Sequence, residues 1–219
     1  MLKSASALSR GAALVEFHIV ALFALVPLCL GTLQMALLLV ENHHIDHAAF
    51  LAARHGAVSH GDLSQIRRAF TQAATILFVQ SGTPVDRANV VARVAMAQAT
   101  AAADVAAYAR LRLLAPDANA QSDFAIRRDG YRVIPNDALE HRSTTRGRRS
   151  GISLQEANVL RVEISYCRPM LVPLAGPLLL GTLRVIDHDA WHQRCYAAGR
   201  VPLRSEAIAP MQSDFRVTS

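Results

Sequence analysis

Between Phe17 and Val40 the chain carries no Asp, Glu, Lys or Arg over 24 consecutive residues. As a helix that stretch extends about 36 Å at 1.5 Å per residue, enough to cross a hydrocarbon core of about 30 Å. The lack of a polar face excludes an ordinary amphipathic core helix. Aromatic residues make up 5% of the chain, and its 23 basic residues against 17 acidic ones, a net charge of +6, are scattered. No basic patch is interleaved with aromatics, so no nucleic-acid partner is expected. The chain has no GxSxG, no GxxxxGK[ST] and no GxGxxG, which removes the usual signatures of serine hydrolases and nucleotide binders. Three cysteines are too few for a disulfide-dense scaffold. There is no internal repeat.

What is present is a membrane-length segment followed by enough chain for a domain of ordinary size, within 219 residues. Lys3 and Arg10 precede the apolar run with no acid among residues 1–10. A secretory signal peptide has the same basic flank, but its apolar region is typically about 7–15 residues, shorter than this one. The expectation is therefore a retained transmembrane helix, residues 12–41, with a cytoplasmic amino terminus by the positive-inside rule. Everything after Glu41 then lies outside.

One acid, Glu16, stands at the mouth of that run. A carboxylate near lipid is costly and needs a partner. Position alone offers a mild account: the first turn of a helix favours an acid, and a side chain there reaches the headgroups.

The surrounding residues say more. "RGAALVEF" places Arg10, Gly11, four small or apolar residues, Glu16 and an aromatic directly ahead of the span. This resembles the processing site of the type IV pilin superfamily, in which prepilin peptidase cuts after a glycine and leaves glutamate as the fifth mature residue. Within the superfamily, "RGAALVEFHIVALFALVPLCLGTLQMALLL" is similar to the opening of TadE-like minor pilins, or pseudopilins, of tight-adherence (Tad or Flp) pili. The similarity includes Pro27 and Leu28 within the helix and the polar Gln34 near its far end. More loosely, "VLRVEISYCRPMLVPLAGPLLLG", residues 159–181, resembles the carboxy-terminal part of such proteins. The chain departs from the pattern at His18, and at Gln34 and Met35, where the family often has an acid and an aromatic.

The resemblance implies a leader at residues 1–11, cleavage between Gly11 and Ala12, and an assembly role for Glu16. Cutting would bare an amine on Ala12, and positions i and i+4 share a helix face. That amine or a neighbouring subunit's could neutralise Glu16, and both pairings stay open. The implied partners are prepilin peptidase, other pilin or pseudopilin subunits, the Tad assembly machinery and the bacterial inner membrane. The implied role is pilus biogenesis in adhesion and surface colonisation, with neither enzymatic activity nor a cofactor. The competing reading is a single-pass anchor presenting an extracytoplasmic binding domain.

Beyond the membrane the pattern predicts an α+β arrangement: helices over 42–115 and a strand-rich, antiparallel domain over 116–219. Ile45, Ala48, Ala49, Ala52 and Ala53 recur at helical spacing, with Gly56 as a stop. Asp62 caps a helix that places Leu63, Ile66, Phe70, Ala74 and Leu77 on one side. Residues 83–114 read as one long Ala-rich helix or two shorter ones, opened by Thr83 and Pro84. A hairpin is expected about Asp129-Gly130, a half-buried strand in "NVLRVEISYC", and a last strand in "TLRVIDHDAW". "EHRSTTRGRRSGIS", with Arg142, Arg146, Arg148 and Arg149, is a solvated loop.

Cys29 falls in the apolar span, as a small hydrophobe. Cys167 and Cys195 fall on the oxidising side, where a disulfide between them is expected. His43, His44 and His47 beside Asp46 raise the question of a metal, since His43 and His47 are i, i+4 neighbours. Without the HExxH register or a third ligand, interfacial histidines are the ordinary explanation, and no metal site is expected.

Overall fold

A computed structural model describes residues 14–79 and 87–217. The leader, the proposed cut between Gly11 and Ala12, and the helix start expected at Thr83 lie outside the described residues. The fold is α+β, with a long apolar helix near the amino terminus followed by helices and small antiparallel sheets. In chain order the elements are α1 (Leu14–Val58), α2 (Leu63–Ala74), α3 (Arg87–Tyr108), β1 (Ala109–Ala115), α4 (Ala118–Phe124), β2 (Ile126–Arg128), β3 (Tyr131–Ile134), α5 (Leu154–Ala157), β4 (Val159–Pro169), α6 (Ala175–Ile186), α7 (Ala190–Ala197), β5 (Arg200–Pro210) and β6 (Phe215–Arg216). They divide into two compact units. One joins the chain up to Val40 to Arg168–Pro202; the other joins Glu41–Cys167 to the stretch after Leu203.

In the first unit, α1 contains a π turn at Ala21–Leu25, whose last bond runs from the Val26 N–H to the Ala21 carbonyl. The cause follows in the sequence: Pro27 has no N–H to donate to Phe23, and its ring crowds the carbonyl four residues back. Widening the preceding turn to i→i+5 relieves that clash without breaking the helix. The same unit holds α6 and α7. Asp189 caps α7, accepting from the N–H groups of Trp191 and His192.

The second unit has its own core. Ile45, Ala48, Ala49, Ala52, Ala53 and Ala57 of α1 are buried, as the helical spacing predicts. They form one cluster with Ile66 and Phe70 of α2 and Leu160, Val162, Ile164 and Tyr166 of β4. The Phe70 and Tyr166 rings meet edge to face at 5.9 Å and 86°, the favoured aromatic geometry. Gly56 does not end α1, which continues to Val58. It serves close packing instead: a Cβ there would lie 2.6 Å from Ile66 Cγ1. Asp62 caps α2 by accepting from the Ser64 N–H. Leu63 points outward, 41% exposed.

One sheet has the order β1-β4-β5 and the other β2-β3-β6. Antiparallel β1 and β4 pair from Ala109 opposite Tyr166 to Ala115 opposite Arg161, with an irregularity between Leu113 and Ala115. The expected hairpin joins β2 and β3. Its corner residues, Asp129 and Gly130, both have positive φ, 49° and 84°, as a two-residue turn of this twist requires.

Two expectations are corrected. The Ala-rich helix ends at Tyr108, and "ARLRLLA" is strand β1 rather than more helix; its ladder with β4 overrides the local helical preference. "TLRVIDHDAW" is not the last strand: Thr182–Ile186 belongs to α6, and Ala190 and Trp191 to α7. Asp187 and the cap Asp189 separate the two helices. The last strands are β5 and β6.

Candidate functional site

The features that bear on function cluster in the first unit. Along α1, Leu14, Phe17, Phe23, Leu28, Leu33 and Leu39 are all exposed. The most apolar window of this helix has a mean hydropathy of 2.2 and is 6% buried, so α1 is long and apolar enough to cross a membrane. Apolar surface of this extent is what a soluble domain avoids leaving in water. Helix α3 also contains a segment of sufficient length and composition, Val90–Tyr108. Its Ala97, Ala101 and Val105 form a buried stripe at i, i+4 and i+8, the pattern of a helix packed on a domain.

Glu16 sits exposed on the first described turn of α1 and makes no ion pair with a described residue. His18, one turn from Leu14, places Nδ1 2.6 Å from the Leu14 carbonyl oxygen. Its ring thus turns along the helix backbone and stands edge-on to Phe17.

Gln34 is the feature whose surroundings sequence reasoning missed. Its side chain is 1% exposed, and Oε1 accepts a 2.8 Å hydrogen bond from the backbone N–H of Val172. Nε2 is buried without a protein partner. Beside it, Pro27, Leu28, Gly31, Thr32 and Met35 of α1 face Ala175, Leu178 and Leu179 of α6 across an open groove of about 480 Å³.

The far end of α6 is polar. Asp187 accepts from the Asp189 N–H at 3.0 Å, from the Tyr196 hydroxyl at 2.8 Å, and pairs with His192 Nδ1 at 2.6 Å. The Asp189 N–H foremost, with the Tyr196 hydroxyl and His192, pulls its carboxyl down to about 2. Burial and the adjacent carboxylate raise the Tyr196 phenol above its ordinary range. The alternation of acid and histidine in "DHD" was the one available sequence signal for this cluster.

The other residues singled out from the sequence lie away from this cluster or at its edge. Cys29 is an exposed free thiol on α1. Cys167 lies in the buried run of β4, and Cys195 is buried in α7. His43, His44 and His47 lie exposed on α1, and Asp46 accepts from the Asn42 amide at 3.1 Å. Among the described residues no three potential metal ligands gather.

No family model, curated protein or solved structure matches the chain. The arginine loop is held down more than composition suggested. Asp123 Oδ2 accepts from the backbone N–H groups of Arg149 and Ser150, the Arg142 guanidinium bonds Asp137, and Arg146 donates to the Gly151 carbonyl. These bonds to Ser150 and Arg149 lower the Asp123 carboxyl below its ordinary value.

Proposed function

We propose that the protein is a minor pilin or pseudopilin of a Tad/Flp-type pilus, cut by prepilin peptidase between Gly11 and Ala12. In this reading α1 crosses the bacterial inner membrane with its amino terminus cytoplasmic, and the second unit is a periplasmic head. The observation that carries it is the placement of "RGAALVEF", residues 10–17, at the start of one long helix described from Leu14 to Val58. That helix bears exposed apolar side chains first and buried core positions later. A cut after Gly11 would set a new amine one helical turn before Glu16. In a medium of low dielectric each charge then stabilises the other, and the amine of a neighbouring subunit would fix register between copies. Cys167 and Cys195 are proposed to form a disulfide in the oxidising compartment.

Mass spectrometry of the protein purified from membranes tests the reading. A mature amino terminus at Ala12 is the expected result, and Gly11→Leu should accumulate uncut precursor. Glu16→Ala should be cut normally yet fail to assemble. An intact Met1, or a cut after Ala36, would leave a plain membrane anchor or an exported domain instead.

A further inference from the structure

The chain has a second uncharged stretch. From Pro169 to Leu183, "PMLVPLAGPLLLGTL", 15 residues pass without Asp, Glu, Lys or Arg. Val172 and Leu180 are buried, but Leu171, Leu174 and Leu178, with Val185 and Ile186 just beyond, are 59–75% exposed. A patch of this kind on a soluble surface marks a partner or a membrane.

The backbone indicates which. In hydrocarbon every N–H must be satisfied within the protein, and irregular backbone survives only where it is covered. Pro169, Pro173 and Pro177 have no N–H to satisfy. Part of the irregular approach to α6 is served from inside the unit: Met170 donates to the Gly199 carbonyl, Ala175 to Pro173 and Gly176 to Val172, while Leu171 and Leu174, whose N–H groups make no such bond, belong at the wet margin. The N–H of Val172, itself buried, is taken by the Gln34 side chain of α1.

Position supplies the second argument. The residues of α1 that face α6, Pro27 to Met35, lie in the middle of the uncharged run, and Pro27 is about 20 Å along the helix from Val40. The exposed leucines of α6 therefore stand beside α1 side chains that are themselves bare and apolar. The 12 residues of α6 extend about 18 Å, too short to cross the roughly 30 Å core. Its end is abrupt: Ile186 is followed by Asp187, His188 and Asp189, with Trp191 one turn on.

We propose that residues 169–186 form a second membrane-embedded element. It lies against α1 from Gln34 toward Pro27, contacting lipid acyl chains through Leu178 and Val185. This rests on α1 being the membrane span. The anchor is then a helix with a re-entrant wedge, and Gln34 is the clamp that ties the wedge's irregular backbone to α1.

Trp191 is the chain's single tryptophan, so a Trp191→Phe background gives a silent full-length protein in which one reporter is placed at a time. Phe23→Trp, Leu178→Trp, Val185→Trp and Ile208→Trp variants, reconstituted in phosphatidylcholine vesicles, are compared with and without lipid brominated at the acyl-chain midpoint. Phe23→Trp reports α1; Ile208→Trp, exposed on β5, reports the head. The wedge predicts that Leu178→Trp loses emission as fully as Phe23→Trp, while Ile208→Trp is unaffected. Quenching at Phe23→Trp with none at Leu178→Trp or Val185→Trp overturns the wedge and leaves the anchor standing. Quenching at none of them removes the span itself. Blue, unquenched emission at Leu178→Trp means that a second copy covers α6, which also overturns the proposal.

Discussion

Removing one oxygen from Tyr166 should destabilise the head while leaving its shape intact. The ring is fully buried in the core, and its hydroxyl donates to Asp104 Oδ2 at 2.5 Å. That bond ties α3 to β4 across 62 positions of chain. A hydrogen bond to a charged group is worth about 1.5–3 kcal/mol when one partner is deleted. Tyr166→Phe loses that contribution but keeps the edge-to-face contact with Phe70, so no cavity forms. Tyr166→Ala would add the loss of the ring, and large aromatic truncations cost about 3–5 kcal/mol. For a chain of this size each kcal/mol moves the midpoint by about 2–4 °C. Tyr166→Phe should therefore lower Tm by about 3–12 °C in detergent-solubilised full-length protein, followed by circular dichroism. Asp104 has further interactions, so the decisive measurement is a double-mutant cycle with Asp104→Ala. The two substitutions should show a coupling of about 1.5 kcal/mol or more, whereas independent sites add within about 0.5 kcal/mol. Additivity would refute the bond, and with it the reason given for α3 docking on the sheet.

The Asp187 cluster predicts a pH response. Its folded carboxyl sits at about 2 against an ordinary 3.8; folded below unfolded, it contributes stability that is complete above about pH 4 and lost as pH falls through about 2. Amide exchange over residues 187–196 should accelerate in that window, and Asp187→Asn should show the faster exchange already at neutral pH. Gly61 has φ of 74°, and a Cβ there would lie 2.3 Å from the Phe215 ring. Gly61→Ala should cost about 1–3 kcal/mol from overpacking with a further 1–2 kcal/mol or so from the left-handed backbone, read as a lower midpoint of thermal unfolding. The proposed bridge between Cys167 and Cys195 predicts a shift in non-reducing electrophoretic mobility on reduction, absent in Cys195→Ser.

Much of the head was legible because its signals are local. A helix that buries Ile45, Ala48, Ala49, Ala52 and Ala53 writes a 3.6-residue period into the chain, and Asp129-Gly130 meets the left-handed corner of a short hairpin with residues that tolerate it. Strand β1 was hidden because no glycine or proline separates Tyr108 from Ala109. The end of α3 is imposed by the ladder that Arg110 to Leu113 make with β4, about 50 residues later. Helix α6 was hidden for the opposite reason: "LRVI" carries β-branched residues whose intrinsic preference is for strand, yet Pro177 falls in the first helical turn, where its missing N–H costs nothing, and Ala175, Gly176 and Leu180 are buried.

Gln34 marks the point where reading along the chain stops being enough. Its residue type announced only a polar group in an apolar run, a cost that lipid makes large unless the group is bonded. What it bonds is a backbone N–H 138 residues away, and a backbone donor leaves no mark in an amino-acid sequence. The need itself was visible from both ends, as a glutamine with no apparent partner and as a proline-broken apolar stretch with no apparent cover. Two local anomalies in an apolar setting meet here: the Gln34 carbonyl oxygen and the Val172 N–H satisfy each other, while Gln34 Nε2 stays without a protein partner. Pairing such anomalies across the chain is a physical criterion for contacts that neither periodicity nor motif supplies.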